Sequence, residues 1–539
     1  MPRAARRSYG TCDVYKEKGS FVPDDPFFAV FSGPAGDGGR PVPLGGTGAV
    51  FSPAEKVFQK SSLSGKVRPV LYGRQGRPQD MRPSDVFCLL FHGKKRMPRA
   101  GEEALQAAVL RMLFCLLPEE ARPGDSHPDG TGLPCLGRCV FSGKEKLMNN
   151  FVYNTPTRVI FGRGVEEECG RLVREFGGSR VLLHYGGGSV ERSGLLGRIR
   201  ASLDKEGLYR VELGGVVPNP RLSLVREGVA LGRKEGIDFV LAVGGGSVID
   251  SAKAIGYGLA DEGDVWDFYE RKRKAKGCAP LGVVLTIAAA GSEMSPSCVI
   301  TNEEGWIKRG YTSEYSRPRF AVMNPELTMT LPAYQTACGC VDILIHTMER
   351  YFHRTGGMEI TDGIAEALLR TVMKNALILR DDPSSYDARA EIMWAGSLSH
   401  NGLTGCGTDG GDWASHKIEH ELSGLFDVAH GAGLAAVWGS WARYVYREDA
   451  ARFARFAQKV MGVSGAGTHE EMAEKGIEAM ENFFRAIHMP TSLTELGVSP
   501  TEEEIRDMAV KCVRGVGGPV GVVRPLLEAD IEKIYRMAR

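Results

Sequence analysis

The sequence predicts an α/β N-terminal dinucleotide-binding domain followed by an all-α metal-binding domain. Three observations carry this. Strand and helix patterns alternate between residues 148 and 330, a glycine-rich strand-to-helix turn sits inside that stretch, and the remainder is almost wholly helical and rich in histidine.

At 539 residues the chain exceeds the roughly 100–200 residues of one ordinary core, so more than one domain is expected. A formal net charge of +1, with 43% hydrophobic and 25% charged residues, is ordinary globular composition. It argues against a nucleic-acid partner and against a disordered acidic chain. No stretch approaches the roughly 18 apolar residues of a membrane span, since the longest, residues 105–117, is interrupted by Arg111. The basic N-terminus lacks the apolar region and cleavage site of a secretory signal. Twelve cysteines without dense regular spacing fit the reduced thiols of a cytoplasmic protein.

Composition divides the chain at Met148. Residues 1–147 carry 22 Lys+Arg against 15 Asp+Glu, a net +7, and 15 of the 28 prolines; residues 148–539 carry 45 against 51, a net −6. The first segment has short apolar patches and one amphipathic helix pattern at 102–117, so it is expected to be a low-order leader. Cys135 and Cys139, with His92 and His127, have no second pair at zinc-site spacing. The basic residues are interleaved with acids rather than forming a nucleic-acid arm. Lys144-Glu145 can be encoded AAG-GAG, a purine tract that recruits the bacterial ribosome, with Lys146 and Leu147 as spacer. Met148 is therefore expected to be the natural start, and residues 1–147 mis-annotated upstream translation.

From Met148 the elements follow in order. Residues 149–161, aromatic and β-branched around a Pro-containing turn, predict an opening hairpin. Apolar runs at 180–185, 209–213, 238–243 and 280–287 predict strands, and the 3.6-residue patterns at 165–176, 195–205 and 222–235 predict the helices between them. Such alternation gives a mostly parallel sheet with ligands at the carboxyl ends of its strands. Beyond residue 330, helical patterns at 333–350, 360–379, 387–398, 449–461 and 470–487 leave few strand-like runs. The expected domains are thus 148–330 and 331–539.

The run from Phe239 through Gly244, Gly245, Gly246, Ser247 and Asp250 is a strand entering glycines and then a helix. Glycines let the backbone approach a pyrophosphate, and the helix start offers free N–H groups and the positive end of its dipole. A plain glycine turn has the same look. Ser247 and Asp250 are spaced as a capping box, and the pattern is not the Rossmann G-x-G-x-x-G. A second turn, Gly186 to Ser189, closes an earlier strand and is expected on the same sheet edge. A carboxylate there would bind a ribose 2′-OH and repel a 2′-phosphate, so Gly187, Gly188 and Ser189 with Arg192 nearby favour NADP(H) over NAD(H), although Glu191 opposes this.

Six of the eleven histidines fall between His346 and His430. Asp342 and His346 stand four apart on one helix face, His416 and His420 repeat that spacing, and His430 follows. Four or five N/O ligands from three segments suit one divalent metal, Zn2+ or Fe2+. Any one of these histidines alone reads as an ordinary hydrogen-bonded residue. The stretch His416 to His420 also fits the H-x-x-E-H pattern of inverted zinc peptidases, with Glu419 as base, but glycine turns have no task in a peptidase.

From Met148 to about Arg539 the sequence resembles the iron-containing (metal-dependent) alcohol dehydrogenases, most of all their NADPH-dependent butanol dehydrogenase and aldehyde reductase branch, which have a dehydroquinate synthase-like fold. The motifs are Gly244-Gly245-Gly246-Ser247 with Asp250 and Lys253, Pro218-Asn219-Pro220, Gly291-Ser292-Glu293-Met294, Asn324 to Thr328, and Gly410 to Ala414 before His416. The resemblance implies a metal held by Asp342, His346, His416 and His430. It implies that His420 faces the nicotinamide and substrate as a proton relay. It places Gly245, Gly246 and Ser247 on the pyrophosphate, Asn219, Asp250, Thr286 and Ser292 near the cofactor, and Gly187, Gly188 and Ser189 near the adenosine ribose. Lys308 is carried over for the ribose phosphate, while Ala290 departs from the threonine often found before Gly-Ser-Glu. The implied reaction is hydride transfer between NADP(H) and a primary alcohol or aldehyde such as butanol or butanal, in a homodimer. A polyol dehydrogenase or lyase on the same fold would share these features.

Overall fold

The computed structural model describes residues 148–356 and 358–539. The leader, with its helix pattern at 102–117, its Cys135–Cys139 pair and its expected low order, lies outside the described residues.

Eight strands run in the order β1 (Arg158–Phe161), β2 (Arg180–Tyr185), β3 (Tyr209–Leu213), β4 (Phe239–Gly244), β5 (Leu281–Leu285), β6 (Ser297–Asn302), β7 (Ile307–Thr312) and β8 (Phe320–Met323). Six of them form one sheet in the order β1-β8-β5-β4-β2-β3, and β6 with β7 forms a separate hairpin. Every pairing in the large sheet is parallel. Its central strands β4 and β5 are buried at every residue, which is why they read as unbroken apolar runs rather than alternating ones. Gly282 in β5 makes room for its neighbour, since a Cβ there would lie 2.2 Å from the Phe320 ring of β8.

The crossovers are α1 (Cys169–Glu175), α2 (Leu195–Lys205), α3 (Leu222–Glu235) and α4 (Gly246–Ala260). On α2 the buried residues Leu195, Leu196, Ile199 and Leu203 make one stripe at three- and four-residue spacing. The two faces of the sheet are covered by separate apolar clusters, one around Ile255 and Phe268, the other around Leu172 and Ile199.

From residue 333 the named elements are all helical: α5 (Ala333–Tyr351), α6 (Glu359–Asp381), α7 (Tyr386–His400), α8 (Ala414–Phe426), α9 (His430–Val445), α10 (Ala450–Lys459), α11 (His469–Ala486), α12 (Glu502–Val516) and α13 (Glu528–Met537). Helix α9 runs through the middle, buried along nearly its whole length, with Trp438 and Trp441 at the core. Capping boxes at Thr468/Glu471 and Thr501/Glu504 start α11 and α12.

One expectation needs correction. Residues 149–161 do not form a hairpin: only Arg158–Phe161 is strand, and it pairs in parallel with Phe320–Met323. Local alternation marks a strand but not its partner, and here the partner is distant in sequence. The hairpin instead falls at β6 and β7, turning at Gly305 and Trp306, which have φ of 82° and 51°.

Candidate active site

From β2 the chain moves outward to β3, then returns on the other side of β2 as β4. The carboxyl ends of β2 and β4 therefore flank the point where strand order reverses, the usual ligand crevice of such sheets. A cleft of about 810 Å³ opens there and reaches the histidine cluster. Gly187, Ser189, Asn219, Gly245, Gly246, Ser247, Asp250, Thr286, Ser292 and Lys308 line it. Gly188 stands just behind this lining, exposed, where a Cβ would lie 2.6 Å from Arg192 Nη1.

Helix α4 starts at Gly246. The N–H groups of Val248 and Ile249 donate to Gly245 O, whereas those of Gly246 and Ser247 have no backbone acceptor among the described residues. Close approach explains two glycines: a Cβ on Gly244 would lie 2.4 Å from Val248, and one on Gly245 2.9 Å from Ile287. The expected capping box is absent, because Gly245 is the N-cap and no side chain caps it. Asp250 instead accepts from Ser292 Oγ at 2.6 Å and Val299 N at 2.8 Å. A helix end left uncapped keeps its N–H groups free for an anion.

Beneath this turn Lys253 is fully buried. Its ammonium donates to the Ser292 carbonyl at 2.7 Å and to Ser292 Oγ, Ser295 O and Ser297 O at 2.8 Å each. Burial pulls its pKa down, and the nearby Asp250 carboxylate opposes that. Asn219 sits at φ 54° with its amide donating to Asp427 Oδ1 at 2.9 Å, so its conformation is fixed from the helical side.

At the other end, Asp342 Oδ1 lies 3.2 Å from His346 Nδ1, 3.6 Å from His416 Nε2 and 3.7 Å from His430 Nε2. Helix α5 supplies Asp342 and His346, α8 supplies His416, and α9 begins with His430. Asp342 Oδ1, His346 Nδ1 and His416 Nε2 are buried and have no hydrogen-bond partner. Unsatisfied lone pairs converging on one point are the donor set of a metal site, so the residues fit a divalent cation. Although burial raises the Asp342 pKa, the histidines outweigh it and hold the carboxylate below its usual range.

Two carboxylates orient the ligands. Both oxygens of buried Glu349 serve His416, one accepting from its backbone N at 3.0 Å and the other bonded to Nδ1. Burial disfavours a charged His416, but Glu349 and Asp342 prevail and raise its pKa to about 9. Glu419 likewise bonds His430 Nδ1 and lies 3.4 Å from Lys308 Nζ. Burial pushes Glu419 up, yet His430 and Lys308 bring it down to about 2. Such second carboxylates fix the imidazole tautomer and turn the other nitrogen toward the metal. Glu349 follows His346 by three positions on one helix, a spacing that would have revealed it.

This disposes of the peptidase reading. Glu419 has no exposed surface and is committed to His430, Ser423 and Lys308, so it has no access to a water. Glu419, His420 and His430 are also close enough to hold an ion, but the Lys308 ammonium beside Glu419 opposes a cation there. His420 lines the cleft with its ring centroid 6.2 Å from His416 and 5.8 Å from His430. Burial, with Lys308 and Lys417 nearby, keeps its pKa well down and the ring neutral. Arg350, His400 and Trp413 also line the cleft beside His346, and sequence reasoning assigned none of them a role.

The model of the iron-containing alcohol dehydrogenases matches residues 156–325, and that of the C-terminal part of the same family matches residues 336–539. The chain belongs to the iron-containing alcohol dehydrogenase family. Among relatives, the NADH-dependent butanol dehydrogenase A of Clostridium acetobutylicum is 39% identical over 72% of this chain and 99% of its own length. The NADPH-dependent aldehyde reductase YqhD of Escherichia coli is 35% identical over 65% of this chain and 90% of its own. A crystal structure of NADH-dependent butanol dehydrogenase A from Thermotoga maritima is similar with a TM-score of 0.71 and 41% identity, covering 73% of this chain and all of that one. Membership of the iron-containing family makes this chain a metal-dependent alcohol/aldehyde oxidoreductase with a nicotinamide cofactor. No helix among the described residues is long and apolar enough to cross a membrane.

Proposed function

We propose that the chain transfers hydride between NADP(H) and a short primary alcohol or aldehyde, with butanol and butanal as the representative pair. One observation carries the reading: a single cleft has two glycine turns at one end and four converging, partly orphaned ligands at the other. Asp342, His346, His416 and His430 would hold Fe2+ or Zn2+, which would supply a Lewis acid for the substrate oxygen, since three neutral imidazoles and one carboxylate would leave a net +1.

The chain's own groups do the rest. Free N–H groups at Gly245, Gly246 and Ser247 bind the pyrophosphate. Asp250 and Lys253 hold the loop that carries Ser292, while Thr286 and Asn219 stand near the cofactor. Gly187, Gly188 and Ser189 leave room at the adenosine ribose, and Arg192 is at hand for a 2′-phosphate. Glu191 pairs with Arg200 at 2.9 Å, which lessens the objection it raises to NADP(H). Lys308, carried over for the ribose phosphate, lies instead at the metal end, 3.4 Å from Glu419, where the nicotinamide half of the cofactor would meet it. Neutral His420 relays the proton to or from the substrate oxygen.

A homodimer is supported by the exposed apolar run Phe151, Val152 and Tyr153 just before edge strand β1. A cytoplasmic location is supported by the free thiols of all seven cysteines among the described residues.

The test is NADPH oxidation by the purified full chain with butanal, before and after chelation and with Zn2+ or Fe2+ restored. Turnover is expected to vanish on chelation and to return with metal. Full turnover by the metal-free protein would overturn the reading.

A further inference from the structure

We infer that the aldehyde this site is built to take carries a carboxylate at its far end, received by Arg350 with His400 beside it. The inference rests on the reductase reading above and narrows its substrate class.

Arg350 lies one helical turn after His346 on α5 and is 8% exposed. Its Nη1 donates to the carbonyls of His346 at 2.9 Å and Ser399 at 3.0 Å, and its Cζ lies 4.5 Å from the centroid of the Trp413 ring. Nε and Nη2, which share one edge of the guanidinium, have no acceptor among the described residues. Nor does any described carboxylate pair with this cation: the adjacent Glu349 spends both oxygens on His416. A buried cation without a counterion is costly, and packing on Trp413 needs only the guanidinium face. The free edge presents two parallel N–H groups, which match the two oxygens of a carboxylate.

A second observation points to the same spot. His400, at the end of α7, lines the cleft with its ring centroid 4.1 Å from that of His346, and its buried Nδ1 has no partner. A buried imidazole nitrogen without a partner and a guanidinium edge without an acceptor among the described residues thus share one wall next to a proposed metal ligand. Arg350 Nη1 bonds the carbonyl of His346 itself, so an anion on Arg350 and a carbonyl held beside His346 stand close together, as the two ends of a short aldehyde acid do. The four-carbon 4-oxobutanoate is the test compound.

The experiment compares kcat/KM for 4-oxobutanoate and butanal on the full chain with metal and NADPH, and measures binding of unreactive succinate by calorimetry. We expect the charged aldehyde to be favoured about tenfold or more. Arg350→Gln should reduce that preference at least about tenfold through KM for 4-oxobutanoate, and should abolish succinate binding. His400→Leu, which leaves the cation in place, should reduce the preference several-fold and serves if the first variant does not fold. Butanal turnover with no preference for the acid overturns the inference and leaves the reductase intact. If neither aldehyde reacts, the reductase reading fails, and the anion site then stands or falls on whether succinate binds in an Arg350-dependent way. An equal preference in Arg350→Gln and the unaltered protein also overturns it.

Discussion

Replacing Glu349 by glutamine isolates the orientation of one metal ligand. In the native chain this carboxylate bonds His416 Nδ1 and accepts from His416 N at 3.0 Å, so Nδ1 carries a proton and Nε2 is the nitrogen turned toward Asp342. The amide of the variant keeps an acceptor for the backbone N–H at the first turn of α8, and stability should shift by no more than about 1 kcal/mol. What it loses is the negative charge that fixes the tautomer and makes Nε2 a stronger donor. Second carboxylates of this kind are worth about 10- to 100-fold in metal affinity, or about 1.4–2.7 kcal/mol. The assay is competition between the full chain and a chelator of known affinity at fixed pH, with thermal unfolding of the metal-free forms as the control for folding. A metal Kd within threefold of the unaltered protein, at unchanged stability, refutes the assigned role.

Two other perturbations test separate parts of the molecule. Gly187→Asp puts a carboxylate into open space at the end of β2, and it should lower kcat/KM for NADPH about tenfold or more relative to NADH; an unchanged cofactor ratio would place the ribose elsewhere. Asp412 is buried, and that burial raises its pKa to about 6 although the N–H groups of Ala414, Val522 and Val523 donate to it. Its folded pKa exceeds the unfolded value of about 4, so its stabilising contribution is complete below pH 4 and is lost as pH rises through 6. Tm of the native chain should therefore fall between pH 4 and 7 relative to Asp412→Asn, by the equivalent of about 3 kcal/mol; parallel curves would disprove the shift.

Much of the sheet was legible because β2, β4 and β5 are buried on both faces and their apolar runs are bounded by glycine or charged turns. The candidate metal ligands were legible as a cluster through the four-residue spacing of Asp342 and His346 on α5. Spacing could not choose His416 over His420, which share α8, and only resemblance to the family did so. The partner of β1 was hidden because pairing with β8 is long-range, and the capping box expected of Asp250 is absent because its carboxylate is taken by Ser292 and Val299 beyond β5. Arg350 and His400 escaped for the same reason, since a lone Arg and a lone His acquire meaning only when α5 and α7 stand side by side.

Lys253 has a mechanical consequence. Three carbonyls and a hydroxyl from the short stretch Ser292–Ser297 close around one ammonium, which is itself rooted in α4, the helix with the uncapped start. A loop fastened at a single charge cannot unzip residue by residue, because freeing any part strands a cation in the interior. Its amides should exchange with solvent together, no faster than α4 itself opens, so the floor of the cleft behaves as a rivet plate on which a mobile cofactor is read against a fixed surface.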